Sequence, residues 1–239
     1  MNRENHKILK DRIYQEFLTL NLKDIEKEFS KKPLLTSNLK LEKGDLKVYG
    51  LELLGADLYP EKNLCNPSAC VDCKLHCLVF AGIGNILKKK KYLQELTAPI
   101  KCKLRKTFLY FNDREFFIKK LESEIIKHGK KCYYRLNTTS DLNWLSFIKK
   151  LPDYNFYDYT KYWKRKSLNN YHLTFSVYQG ISDTQQKNKL KNGENIAKIF
   201  YNVLPEKEFS FPVINGDIDD FRFKDKKGVI VGLKLKNTL

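Results

Sequence analysis

Apolar positions near the start of the chain recur every four residues. Leu9, Ile13 and Phe17 stand at that spacing with lysine and glutamate between them, which predicts a helix over 3–30. A turn-rich stretch through Pro33 and Ser37 follows. Leu46–Leu53 then alternates, Leu46, Val48, Gly50 and Glu52 against Lys47, Tyr49, Leu51 and Leu53, and predicts a strand. Residues 84–110, rich in lysine and leucine, predict a helix with a break at Pro99. The next helix begins at Asn112 as N-cap, with Glu115 three residues on. Phe117, Leu121 and Ile125 are its apolar stripe and Gly129 its terminator. His128 falls in the last turn, where an imidazolium favours the helix dipole.

Beyond that point, short apolar runs predict strands at Cys132–Asn137, Asn155–Thr160, Tyr171–Val177, Ile196–Asn202, Pro212–Asn215 and Val229–Lys236. Helical or irregular pieces are expected around Leu142–Lys150 and Gln185–Asn192. Strands separated by crossover-length segments predict an α/β fold. The expected form is a partial barrel or an open, mainly parallel sheet, with flanking helices and an N-terminal helix. The expected division is a helical appendage over 1–40 and an α/β domain over 41–239.

Composition adds a direction. Of 239 residues, 42% are hydrophobic, ample for a buried core. Lys plus Arg number 45 against 28 for Asp plus Glu, a net charge of +17. That excess fits a polyanion: a nucleic acid, a nucleotide or an anionic membrane surface. Met1–Lys7 is polar, and no run approaches the ~20 apolar residues of a membrane helix. A cytoplasmic protein without a membrane partner is expected, in the host cytoplasm for a phage-encoded chain.

The strongest chemical signal lies within 65–77. Cys65, Cys70, Cys73 and Cys77 have the spacing C-x4-C-x2-C-x3-C, and Asn66, Pro67 and Ser68 let the backbone curve. Four thiolates complete the coordination of Zn²⁺ or of an iron–sulfur cluster. Structural zinc usually uses two separated C-x2-C knuckles, so short unequal spacings favour iron–sulfur. Three cysteines holding the cluster leave one iron open for S-adenosylmethionine; four close it. His76 is an alternative ligand, while Cys102 and Cys132 are read as buried small hydrophobes.

Period-two reading of three strands gives a second signal. Arg135 and Asn137 share one set, Asp158 and Thr160 a second, His172, Thr174 and Ser176 a third. A solvated face explains any single strand; three together predict a polar interior cavity near the strand C-termini. His172 and Asp158 are the catalytic candidates, His172 for proton transfer near neutral pH. Asn137, Ser140, Asp141 and Asp217 are the cofactor-binding candidates, the plainer alternatives being helix capping by Ser140 or Asp141 and a simple turn at Asp217. Lys88–Lys91 and the run Tyr157–Lys166, with Tyr159, Tyr162, Trp163, Lys164 and Arg165, suit a nucleic-acid backbone and its bases. Ala81–Asn85 is only a weak phosphate-loop match.

The order of motifs resembles a family of phage- and plasmid-encoded proteins known by a phage gene-product number. The likeness rests on Cys73-Lys74-Leu75-His76-Cys77, Arg105-Lys106-Thr107, Phe111–Glu115, Arg135–Asp141, Phe156–Lys161, Asn170–Ser176, Val213–Asp217 and Asp225–Lys234. It implies a phage- or plasmid-type protein and brings no reaction with it. A looser likeness is to radical S-adenosylmethionine enzymes, in which a cysteine loop follows the first strand of an incomplete barrel. The spacing departs from their C-x3-C-x2-C, and Cys77 is extra. The leading expectation is thus an iron–sulfur protein, a radical-type enzyme acting on nucleic acid or a nucleotide. The alternatives are a nucleic-acid-binding protein with structural zinc and no catalysis, and a non-catalytic host-interaction factor.

Overall fold

The N-terminal periodicity folds as two helices, α1 (Arg3–Leu18) and α2 (Leu22–Lys31), where one helix over 3–30 is predicted. Asn21 divides them, its side chain accepting a hydrogen bond from the Asp24 amide as an N-cap. Leu9, Ile13, Ile25 and Phe29 are buried in the same core as the sheet. The computed structural model describes residues 3–37, 46–60, 62–65, 77, 95–201 and 203–234. Most of the cysteine loop lies outside the described residues, including Asn66, Pro67, Ser68, Cys70, Cys73 and His76. So do Ala81–Asn85, Lys88–Lys91 and the first part of the helix predicted over 84–110.

Two strands, β1 (Leu35–Thr36) and β2 (Val48–Leu51), precede α3 (Ala98–Asn112) and α4 (Arg114–His128). Pro99 sits in the first turn of α3 and starts that helix rather than breaking one, because its missing N–H costs nothing there. Asp113, not Asn112, caps α4 by accepting from the Phe116 amide at 2.9 Å. Phe117, Leu121 and Ile125 are buried as predicted, and Gly129 closes the helix at φ 94°. His128 stands in the last turn of α4, where burial lowers its pKa and its ring stacks on Tyr49 at 3.7 Å.

The chain continues through β3 (Tyr133–Arg135), α5 (Leu145–Ile148), β4 (Asn155–Thr160) and β5 (Tyr171–Ser176). It ends with α6 (Asp183–Lys191), β6 (Asn195–Phe200), β7 (Lys207–Glu208), β8 (Phe211–Asn215) and β9 (Ile230–Lys234). The nine strands form one open sheet in the order β1-β2-β3-β4-β5-β6-β9-β8-β7. Pairings from β2 to β8 are all parallel; β1 and β7 pair antiparallel at the two edges.

Register decides which side chains share a face. Tyr134 pairs with Phe156 and Phe156 with Tyr171, so Tyr134, Phe156, Asp158, Thr160, Tyr171 and Phe175 point one way. Helices cover this side, α4 against Tyr49 and Tyr134 and α6 through Lys189 over the Phe175 ring. Arg135, Tyr157, Tyr159, His172, Thr174 and Asn195 point the other way. Instead of an α-helix, the segment between β8 and β9, with one short 3-10 helix over Arg222–Lys224, covers them. Its Phe223 stacks on Tyr133 at 3.6 Å and packs edge-on against Tyr157, and Phe221 joins Val48 and Tyr157 in a small apolar cluster.

Candidate functional site

The loop leaving β3 ties together the carboxyl ends of three strands. Thr138 donates to the carbonyl of Leu51, the last residue of β2, and Thr139 to that of Leu53 just beyond it. Asn137 donates to Asp158 on β4 from its amide at 2.8 Å and from Nδ2 at 3.3 Å, and Tyr171 Oη donates to the same carboxylate at 2.9 Å. Burial pushes the Asp158 carboxyl up to about 7 against the pull of the Asn137 amide, the Arg135 charge, the Tyr171 hydroxyl and the Arg165 charge. Asn137 Oδ1 accepts from Ser140 Oγ at 3.0 Å, the Leu142 amide at 2.8 Å and Trp144 Nε1 at 3.3 Å.

Asp141 is the second knot. It accepts from Thr160 Oγ1 at 2.8 Å, the Lys161 amide at 2.8 Å and Arg165 Nη1 at 2.6 Å. Its own amide donates to the Leu64 carbonyl at 2.8 Å, one residue before Cys65. Neither Ser140 nor Asp141 caps a helix; α5 starts later, after Trp144, with no side-chain cap.

The chain reaches Cys65 through a tight turn. Ala56 takes the left-handed conformation at φ 49°, its carbonyl accepts from the Leu64 amide at 2.9 Å, and its amide donates to Cys65 Sγ at 3.1 Å. Thr107, fully buried on α3, fixes the approach by donating to the Lys103 carbonyl and accepting from the Leu54 amide at 2.9 Å. Cys65 is half-buried and Cys77 buried. Among the described residues, no three His, Cys, Asp or Glu side chains converge on one point that suits a metal ion. Cys102 packs against the core and Cys132 is buried, its Sγ donating to the His128 carbonyl at 3.2 Å.

Of the six other candidates, Asn137, Ser140 and Asp158 share one network, whereas His172 and Asp217 stand apart from it. Asp158 lies on the helix-covered side in the network of Asn137, while His172 lies on the opposite side, so the two share no cavity. Burial, with the Arg222 charge nearby, lowers the His172 pKa to about 4. The ring is thus neutral near pH 7 and takes no part in a titration there. Asp217 is remote from both; its Oδ2 accepts from the Lys234 amide at 2.9 Å.

Around His172 the hydrogen bonding is incomplete. His172 Nε2, Thr174 Oγ1, Tyr157 Oη, Asn195 Nδ2 and Arg222 Nε are buried with no hydrogen-bond partner among the described residues. Arg222 is held through Asp219 at 2.8 Å and Asp225 at 3.1 Å, and Arg135 through Asp220. Sequence reasoning missed Arg222 and Asn195. A signal for Arg222 existed: aspartates three residues to either side, Asp219 and Asp225, announce a partnered arginine.

A family model described as Gene product 88 matches residues 22–238. The chain belongs to the Gene product 88 family. No curated protein and no solved structure matches it. In this Gene product 88 chain no helix among the described residues is long and apolar enough to cross a membrane. The aromatic-basic run after β4 divides by environment. Tyr157 is fully buried, Trp163 turns inward against Phe175 with Nε1 donating to the Ser176 carbonyl at 3.3 Å, and Arg165 is committed to Asp141. Tyr162, Lys164 and Lys166 are exposed.

Proposed function

We propose that this protein is a metal–thiolate protein that works on nucleic acid, with Cys65, Cys70, Cys73 and Cys77 holding one iron–sulfur centre. The observation that carries this reading is the Ala56 amide donating to Cys65 Sγ at 3.1 Å. A neutral thiol is a weak acceptor, whereas a thiolate ligand is a strong one, and hydrogen bonds to ligating sulfurs help set the properties of such centres. Ligand sites of parallel α/β sheets gather beyond strand carboxyl ends, where Cys65 stands. The donor set, four soft sulfurs in one short loop, fits iron–sulfur chemistry. When bound, the centre supplies electron transfer or, with one iron open, a seat for S-adenosylmethionine. The chain's own residues hold the entry to the loop rigid, Thr107 and Thr139 from one side and Asp141 through Leu64 from the other.

Purification away from oxygen, with iron, sulfide and zinc quantitation and visible absorbance, tests the reading. A coloured protein carrying iron and sulfide, lost in Cys65→Ser, is the expected result. Stoichiometric zinc in a colourless protein rejects iron, and absence of either metal rejects the reading itself. A nucleic-acid-binding scaffold stapled by zinc is the second reading. It is favoured by the full commitment of Asn137, Ser140, Asp141 and Asp158 to partners inside the fold.

A further inference from the structure

A hollow of about 300 Å³ opens where the chain leaves β4, at the lower end of the size range of small-ligand sites. Lys149, Tyr162, Lys164, Arg165, Lys166 and Ser167 are among the residues that line it. Arg165 is 6% exposed and spends two nitrogens on Asp141, so the carboxylate nearest the hollow is already neutralised. Lys149, Lys164 and Lys166 are exposed and have no acidic partner among the described residues. Tyr162 is 45% exposed, and its backbone is pinned by amide donation to Thr160 Oγ1 at 3.0 Å. Leu145 and Leu168 help give the hollow a mainly apolar lining, and the exposed Tyr162 ring lines it beside the three lysines, with the Arg165 guanidinium over one face at 6.0 Å and its neighbour Trp163 turned into the core.

We propose that this hollow seats one nucleotide of a single-stranded nucleic acid, with Tyr162 stacking the base and Lys164 and Lys166 neutralising the flanking phosphodiesters. The inference deepens the nucleic-acid part of the reading above and does not depend on the metal. A single strand fits better than a duplex, because a ring on a loop can stack only on a base already out of its helix. Through Asp141, which binds Arg165 on one side and the Leu64 carbonyl on the other, the hollow is joined to the entry of the cysteine loop.

Fluorescence anisotropy of the full chain with a labelled oligothymidylate of about 15 nucleotides, across a salt series, tests the assignment. Tyr162→Ala should weaken binding about tenfold at constant salt. Lys164→Gln combined with Lys166→Gln should lower the slope of log affinity against log salt by about 1.4, two phosphate contacts' worth for a single strand. All three positions are exposed, so thermal melting of the variants should match the parent chain; if one variant misfolds, the other decides. Binding unchanged in both variants overturns the proposal. So does displacement of the oligomer by inorganic phosphate at matching concentration, which identifies a free-phosphate pocket. Affinity kept in Cys65→Ser, or in protein that carries no metal, leaves this inference standing while the cysteine reading fails alone.

Discussion

Thr160 and Thr174 lie on neighbouring parallel strands, both almost fully buried, yet they live differently. The Thr160 hydroxyl donates to Asp141 and accepts from the Tyr162 amide; the Thr174 hydroxyl, facing the other side of the sheet, has no partner among the described residues. Larger groups repeat the contrast. Asp158 receives three hydrogen bonds under the helices, whereas His172 Nε2 receives none beneath the segment between β8 and β9. Buried polar groups are normally satisfied, because each one left unmet costs about 1–3 kcal/mol. The helix-covered side is therefore the more fully satisfied, Arg165 Nε and Gln186 Oε1 being its exceptions, and the other carries the larger deficit under its covering segment.

Removing the best-connected group should break the helix-covered side most severely. Asp141→Ala strips acceptors from Thr160, Lys161 and Arg165 and leaves a buried guanidinium unpaired. Urea unfolding should report a loss of about 3–5 kcal/mol, and a loss below about 1 kcal/mol would erase the contrast. The threonines give a matched pair. Thr160→Val should cost about 1–3 kcal/mol, while Thr174→Val should be neutral or stabilising by up to about 1 kcal/mol. Equal destabilisation by both changes would show that the Thr174 hydroxyl does have a partner.

Acid–base behaviour sharpens the comparison with smaller effects, each bounded by about 1.4 kcal/mol per pH unit. Asp158 keeps its proton in the folded chain up to about pH 7, whereas an ordinary Asp releases it near 3.8. Its contribution is full at low pH and is lost as pH rises through 7. His172 behaves oppositely: the unfolded chain takes up its proton below about 6.5, the folded chain only near 4. That contribution is full above pH 6.5 and is lost as pH falls toward 4. Melting temperatures between pH 4 and 6.5 should therefore rise more steeply with pH in Asp158→Asn than in the parent chain, and less steeply in His172→Gln. Parallel profiles for all three proteins would refute the opposed environments.

Much of the fold was legible because it depends on local patterning. Asn155–Thr160 was read to the residue, and the α4 stripe of Phe117, Leu121 and Ile125 packs as its spacing demands. Capping residues were legible to within one position, as Asp113 in place of Asn112 illustrates. The two-residue strands β1 and β7 were not, since two residues carry no period. Face assignment failed for a different reason. Alternation within each strand was correct, but the alignment between strands is not written in any one of them, and a one-residue offset turns a whole set over. Asp158 and His172 were thus grouped although Tyr157, not Asp158, is the register partner of His172. Asn137, beyond the end of β3, had already left the strand's alternation and turned to meet Asp158. Of the cysteines, the sequence shows the spacing and the described coordinates only the two ends of the loop.

The brevity of β1 and β7 has a consequence for the molecule in company. Each borders the parallel strands with an antiparallel pair of only two residues, so a stranger's backbone finds almost no ladder to extend. An α/β sheet that ends in such short strands offers little at either rim for another chain to copy.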